Sequence, residues 1–132
     1  METRASILRK VVTGLQELKE PLDKVLERIP ESEQQVISGN LVQVIGIGYS
    51  QLTDEMKKER KITKKEAGRT FLGFGGCVVW IDISRPEETT KIAIAEELAH
   101  VFYNHPKAEE EAKVKREEEA KAKAREWGFG SP

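Results

Sequence analysis

Glu96, Glu97 and His100 fall within the five-residue run Glu96-Glu97-Leu98-Ala99-His100. On a helix, positions 96 and 100 lie one turn apart and face the same way, so a carboxylate and an imidazole are offered together to a divalent cation. Glu97, between them, is the residue type that takes a proton from water polarised by such an ion. Hydrolysis by an activated water is the chemistry this set points to. Burying two carboxylates and an imidazole is costly unless something pairs with them. A bound cation removes that cost, and so does a buried hydrogen-bond network. Glutamate is abundant here, so a chance run with a structural histidine is the third account of the same five residues.

The elements that must position this run are legible around it. Cys77-Val78-Val79-Trp80-Ile81-Asp82-Ile83, preceded by Gly75-Gly76, is β-branched and aromatic and reads as a buried strand. Ser84-Arg85-Pro86-Glu87-Glu88 supplies helix-start chemistry: a Ser or Arg cap, proline in the first turn, and acids at the positive end of the dipole. The spacing predicts a helix from about Glu87 to Asn104, and Ile92, Ile94, Ala95, Leu98, Ala99, Val101 and Phe102 cover most of its circumference, so it is largely buried. Glu96 and His100 occupy the remaining stripe.

Strand, short turn and helix resemble the core of zincin metallopeptidases, in particular small gluzincin-type domains of the ImmA/IrrE-like and phage-associated kind. In the pattern those proteins share, His-Glu-x-x-His, the first histidine is replaced here by Glu96. The tail Glu117-Glu118-Glu119-Ala120-Lys121-Ala122-Lys123-Ala124-Arg125-Glu126-Trp127-Gly128-Phe129 is similar to the family's second helix, Glu-x-x-Ala-Asp closing in Trp-Gly-Phe. The resemblance covers roughly residues 70 to 130. It implies a divalent metal, zinc or an ion of similar demand such as Mn or Fe, held by Glu96, His100 and Glu117, with Glu97 as catalytic base. It also implies that the Phe74 to Val79 region borders the cleft and pairs with substrate at the sheet edge. Lys121 stands where the family's aspartate orients a ligating histidine, and lysine cannot accept that hydrogen bond.

Geometry alone leaves the third ligand open. If His105-Pro106 makes a tight turn between antiparallel helices, the residue opposite His100 is nearer Glu111 than Glu117, at ~1.5 Å of rise per residue. His105, off the ligand face, suits a helix C-terminal cap. Residues 107 to 126 also form a good solvated helix without any chemistry, since Glu109 with Lys113, Glu111 with Lys115, Glu117 with Lys121 and Glu119 with Lys123 are i,i+4 pairs. The stripe Ala120, Ala124, Trp127, bordered by Glu117, implies that one face of that helix docks.

Elsewhere the chain reads more simply. Leu8, Val11, Leu15, Leu18, Leu22, Val25 and Ile29 form a helical seam interrupted by Pro21, predicting helices over about 4–19 and 21–29. That seam packs on the domain's own sheet or makes a homodimer contact. Leu41 to Tyr49 reads as a strand after a Ser38-Gly39-Asn40 turn, and Arg69 to Gly73 as a short strand before the Cys77 strand. Lys57, Lys58, Arg60, Lys61, Lys64, Lys65 and Arg69 make the one basic concentration, which fits a solvated surface or phosphate contact with nucleic acid; it contains no aromatic residue for base stacking.

A length of 132 residues suits one compact domain, with residues 1–30 as an N-terminal helical segment and 31–132 as the core. The net charge of −1 argues against bulk attraction to DNA or membranes, and no apolar run approaches the ~18 residues of a membrane span. A single cysteine, Cys77, excludes an intrachain disulfide, and with no secretory leader the expected compartment is the cytoplasm. The expected architecture is α+β: N-terminal helices, a small sheet of about three strands, then the Glu97 helix and a Glu/Ala/Lys-rich C-terminal helix, arranged like a minimal gluzincin. The expected function is metal-dependent peptide hydrolysis. The alternative is a non-catalytic relative that binds peptides, proteins or nucleic acid.

Overall fold

The computed structural model describes residues 2–104 and 113–130. In chain order the elements are α1 (Glu2–Arg9), β1 (Val11–Thr13), α2 (Leu15–Glu27), α3 (Glu31–Asn40), β2 (Leu41–Gly46), α4 (Asp54–Glu59), β3 (Gly68–Gly73), β4 (Gly76–Ile81), α5 (Glu87–Phe102) and α6 (Lys113–Glu126). The class is α+β, as the sequence predicts, around one sheet ordered β1-β2-β4-β3. β1, β2 and β4 run parallel, and β3 is antiparallel to β4. Parallel neighbours cannot be joined by a tight turn, and α2 and α3 provide the crossover between β1 and β2.

Four strands stand where about three were expected, and the extra one explains a second correction. The seam from Leu8 to Ile29 is not broken at Pro21, which lies buried inside α2, but at Lys10 to Gly14, where Val11–Thr13 leave the helical path and join the sheet edge. Gly14 turns the chain back into α2 with φ 77°, and a Cβ there would stand 2.2 Å from the Gly46 carbonyl oxygen. Leu18, Leu22, Val25 and Ile29 still form one buried stripe, packed within this chain. The predicted turn at Ser38-Gly39-Asn40 is instead the last turn of α3, a helix the sequence pattern did not reveal because its apolar content is too sparse. Lys10 reaches across to that helix end and donates to the Ser38 carbonyl oxygen, a cation satisfying an orphan C-terminal acceptor.

The sheet divides two cores. On one face Val44, Val79 and Ile81 pack with Leu18, Leu22, Ile94 and Leu98. On the other, Trp80 packs with Leu52 and Ile62, and its indole N–H donates to the Ile47 carbonyl at 3.0 Å. The basic segment is the cover of this second core. Lys57 lies over the Tyr49 ring and Arg60 over the Phe71 ring, each 4.6 Å from the centroid.

β4 is buried along its whole length because both of its edges are paired. The expectation that Phe74 to Val79 forms the cleft-bordering edge is therefore corrected: the edge strand beside β4 is β3, and Phe74 is at the tip of the β3–β4 hairpin, exposed and with φ 52°. α5 begins as expected, except that Pro86 occupies the cap position and Ser84 instead donates its hydroxyl to Asp82. Among the described residues no helix is long and apolar enough to cross a membrane.

Candidate active site

α5 packs on the Val79 face of the sheet, alongside β3 and α6, and with them borders a cleft of about 700 Å³. Its floor is the polar stripe of α5, which carries Glu96, Glu97 and His100; one wall is the edge of β3 with Gly68 and Thr70; the other is α6 with Glu117. The apolar remainder of α5 explains the placement. Ala95, Leu98, Ala99 and Val101 are almost fully buried in the main core, so the polar stripe can only face the gap between β3 and α6.

Docking of α6 sets which of its acids enters that gap. Ala120, Ala124 and Trp127 are buried, as the stripe predicts. At its C-terminal end Trp127 donates its indole N–H to Glu33 Oε1 at 3.1 Å, and Lys123 pairs with the same Glu33 and with Glu126 at 2.9 Å while lying 4.9 Å over the Phe102 ring. These contacts tie α6 to α3 and fix its register on α5. Glu117, one turn before Ala120, then meets His100, with Oε1 3.4 Å from Nε2. Glu111 and His105 lie outside the described residues.

Burial and mutual proximity dictate the protonation behaviour of the site. Glu97 is pushed up to about 7, chiefly by burial; the positive field of His100 and the Thr70 hydroxyl only partly offset this, and Glu117 and Glu96 add to it. Glu96 is likewise raised by burial, against the opposing charge of Lys121. For His100 burial works downward, but the Glu117 hydrogen bond and the charges of Glu97, Glu117 and Glu96 outweigh it, and its imidazole is held above the usual range. Glu117 is held low, first by that hydrogen bond. Burial thus favours the neutral Glu97 carboxyl while the surrounding acids favour the charged His100 imidazole.

Two contributors escaped the sequence reading. The Thr70 hydroxyl lies 2.7 Å from Glu97 Oε1 and 3.2 Å from the Glu97 carbonyl oxygen, so β3 fixes the rotamer of the candidate base. At Gly68 a Cβ would stand 2.9 Å from the Trp80 carbonyl oxygen and 3.0 Å from Glu97 Cγ, so only glycine lets helix and strand approach this closely. Strand alternation, which places 68 and 70 on one face, was the available signal.

The donor chemistry suits a divalent cation in part. In a tetrahedral zinc site with bonds of ~2.0–2.2 Å, neighbouring ligand atoms are roughly 3.3–3.5 Å apart; the His100–Glu117 pair, 3.4 Å apart, has a separation of that length. Glu96 lines the same cleft and shares the field of both residues. Its carboxylate is not gathered in with them: among the described residues, no three His, Cys, Asp or Glu side chains are grouped so as to hold a metal ion. Comparison of the chain with protein-family models, curated proteins and solved structures finds no match.

Proposed function

We propose that this protein is a zincin-like peptide hydrolase whose cleft holds a divalent metal between α5 and α6. The observation that carries the reading is the 3.4 Å approach of His100 Nε2 to Glu117 Oε1, two donor atoms from separate helices at the spacing of ligands to one ion. His100 and Glu117 are the firm ligands, and Glu96, one turn from His100, completes the set by rotation of its side chain. The metal, when bound, supplies Lewis acidity to water and to the scissile carbonyl. Glu97 takes the proton of the attacking water and later delivers it to the leaving amine. Thr70 holds the Glu97 carboxyl in place, and the edge of β3 aligns an extended peptide by main-chain pairing.

One observation favours a second reading, in which the cleft binds peptide without cutting it. Glu96 replaces an imidazole and stands apart from the other two donors, which weakens metal retention. Hydrolysis of a fluorogenic peptide library, with zinc or manganese supplied, separates the two readings. Turnover that Glu97→Gln abolishes supports the hydrolase. No turnover with either metal, by a protein that still binds peptides, establishes the binding module instead.

A further inference from the structure

The floor of the cleft is acidic, and on its rim the one acid among the described lining residues, Glu66, is paired with Arg69. The rim carries Lys65, Arg69 and Arg85 on the β3 side and Lys113 and Arg116 on the α6 side, in a chain whose overall net charge is −1. Two of these guanidiniums build the rim: Arg69 pairs with Glu66 and donates to the Arg60 carbonyl at 2.7 Å, while Arg85 pairs with the buried Asp82 at 3.0 Å and donates to the carbonyls of Lys64 at 2.8 Å and Glu66 at 3.1 Å. These bonds fix the loop that carries Lys65. Lys65 and Lys113 are exposed, and neither forms an ion pair with a carboxylate among the described residues. On the floor Glu117 is paired with His100, Oε1 lying 3.4 Å from Nε2.

We infer that the cleft selects peptides with acidic residues on both sides of the segment seated over His100, with Lys65 and Lys113 as the specificity-determining cations. The inference rests on the reading of the cleft as a peptide channel, and hydrolysis is not required for it. A peptide fits this charge pattern better than a nucleic acid does, because its acidic side chains can reach the rim while an uncharged backbone crosses the floor. A phosphodiester chain would carry charge over Glu96, Glu97 and Glu117, and among the described residues the lining holds no aromatic ring for base stacking.

The test is binding of fluorescein-labelled twelve-residue peptides to the Glu97→Gln protein, read by anisotropy at low and moderate salt. The probes are an Asp/Ala peptide, a Ser/Ala peptide and a Lys/Ala peptide, with a single-stranded DNA of matched length as competitor. The Asp/Ala peptide is expected to bind about tenfold tighter than the Ser/Ala peptide, the yield of a few partly exposed charge contacts, and to lose that advantage as salt rises. Lys65→Glu with Lys113→Glu, both at exposed positions, should erase or reverse the preference; Lys65→Ala with Lys113→Ala should reduce it. Equal binding of acidic and neutral peptides, or a preference that survives charge reversal, overturns the inference. So does DNA that displaces the acidic peptide at lower concentration than the peptide's own unlabelled form. Acidic preference, together with no cleavage of these peptides by the parent protein supplied with zinc or manganese, upholds the inference while sinking the hydrolase reading.

Discussion

Replacing Glu97 by glutamine should change how stability depends on pH in a way that only a buried, ionisable carboxyl can produce. In the folded chain this group is raised from 4.5 to about 7, mostly by burial. The folded state therefore binds its proton more tightly than the unfolded state does, and stability falls as pH rises wherever that is so. The stabilising contribution is complete below pH 4.5, declines between pH 4.5 and 7, and is gone above that window. At ~1.36 kcal/mol per pH unit, the full loss is roughly 3 kcal/mol, equivalent to about 10 °C in melting temperature for a chain of this size. Glutamine keeps the shape and the contact with Thr70 but cannot ionise. Urea unfolding of both proteins from pH 4.5 to 8.5 reads the difference directly. The variant should gain on the parent by up to about 3 kcal/mol across the window and hold that gain above it. His100, also raised and in part by the Glu97 charge, loses stability in the same direction above its unfolded value, so the variant's gain includes a smaller change in the His100 contribution. Parallel curves for the two proteins would refute the claim that Glu97 is buried and ionises within this range.

Other expectations are quicker to check. Glu96→His should tighten zinc binding at least roughly tenfold, a scale set by changes made one layer further from a metal, and a zinc-dependent rise in melting temperature no larger than the parent's would count against Glu96 as a ligand position. Gly68→Ala forces a methyl against the Trp80 carbonyl and Glu97 Cγ, so it should cost about 1–3 kcal/mol and shift the pH window above, whereas a neutral result would place strand and helix further apart. Trp127→Ala removes the buried anchor of α6 and its bond to Glu33; a loss of about 3–5 kcal/mol in chemical denaturation is expected, with full stability showing that α6 docks by other means.

Residues whose structural role is set by local pattern were the readable ones. β4 announced itself through an unbroken apolar run, α5 through its apolar circumference, and the docking face of α6 through Ala120, Ala124 and Trp127, because burial on all sides leaves only one kind of side chain acceptable. β1 was not readable: three residues spliced into a helical seam keep its spacing, and only the left-handed Gly14 beside Gly46 reveals the detour. α3 hid behind a polar sequence whose stability comes from partners far along the chain, Trp127 and Lys123 on Glu33. At the candidate site, the placement of Glu97 and His100 on one buried helix was legible from spacing, while the approach of Glu117 to His100 depends on a helix register that tertiary contacts determine. Thr70 and the cationic rim come from strands and loops distant in sequence, so no local spacing could assemble them.

The central claim is that His100 and Glu117 are two ligands of one metal ion, and calorimetric titration of zinc into the metal-stripped chain at pH 7.5 tests it most directly. The account predicts one ion per chain, weaker binding at pH 6 where His100 holds its proton, and loss of binding in both His100→Ala and Glu117→Ala. Absence of zinc binding, or binding that both variants retain, would contradict it.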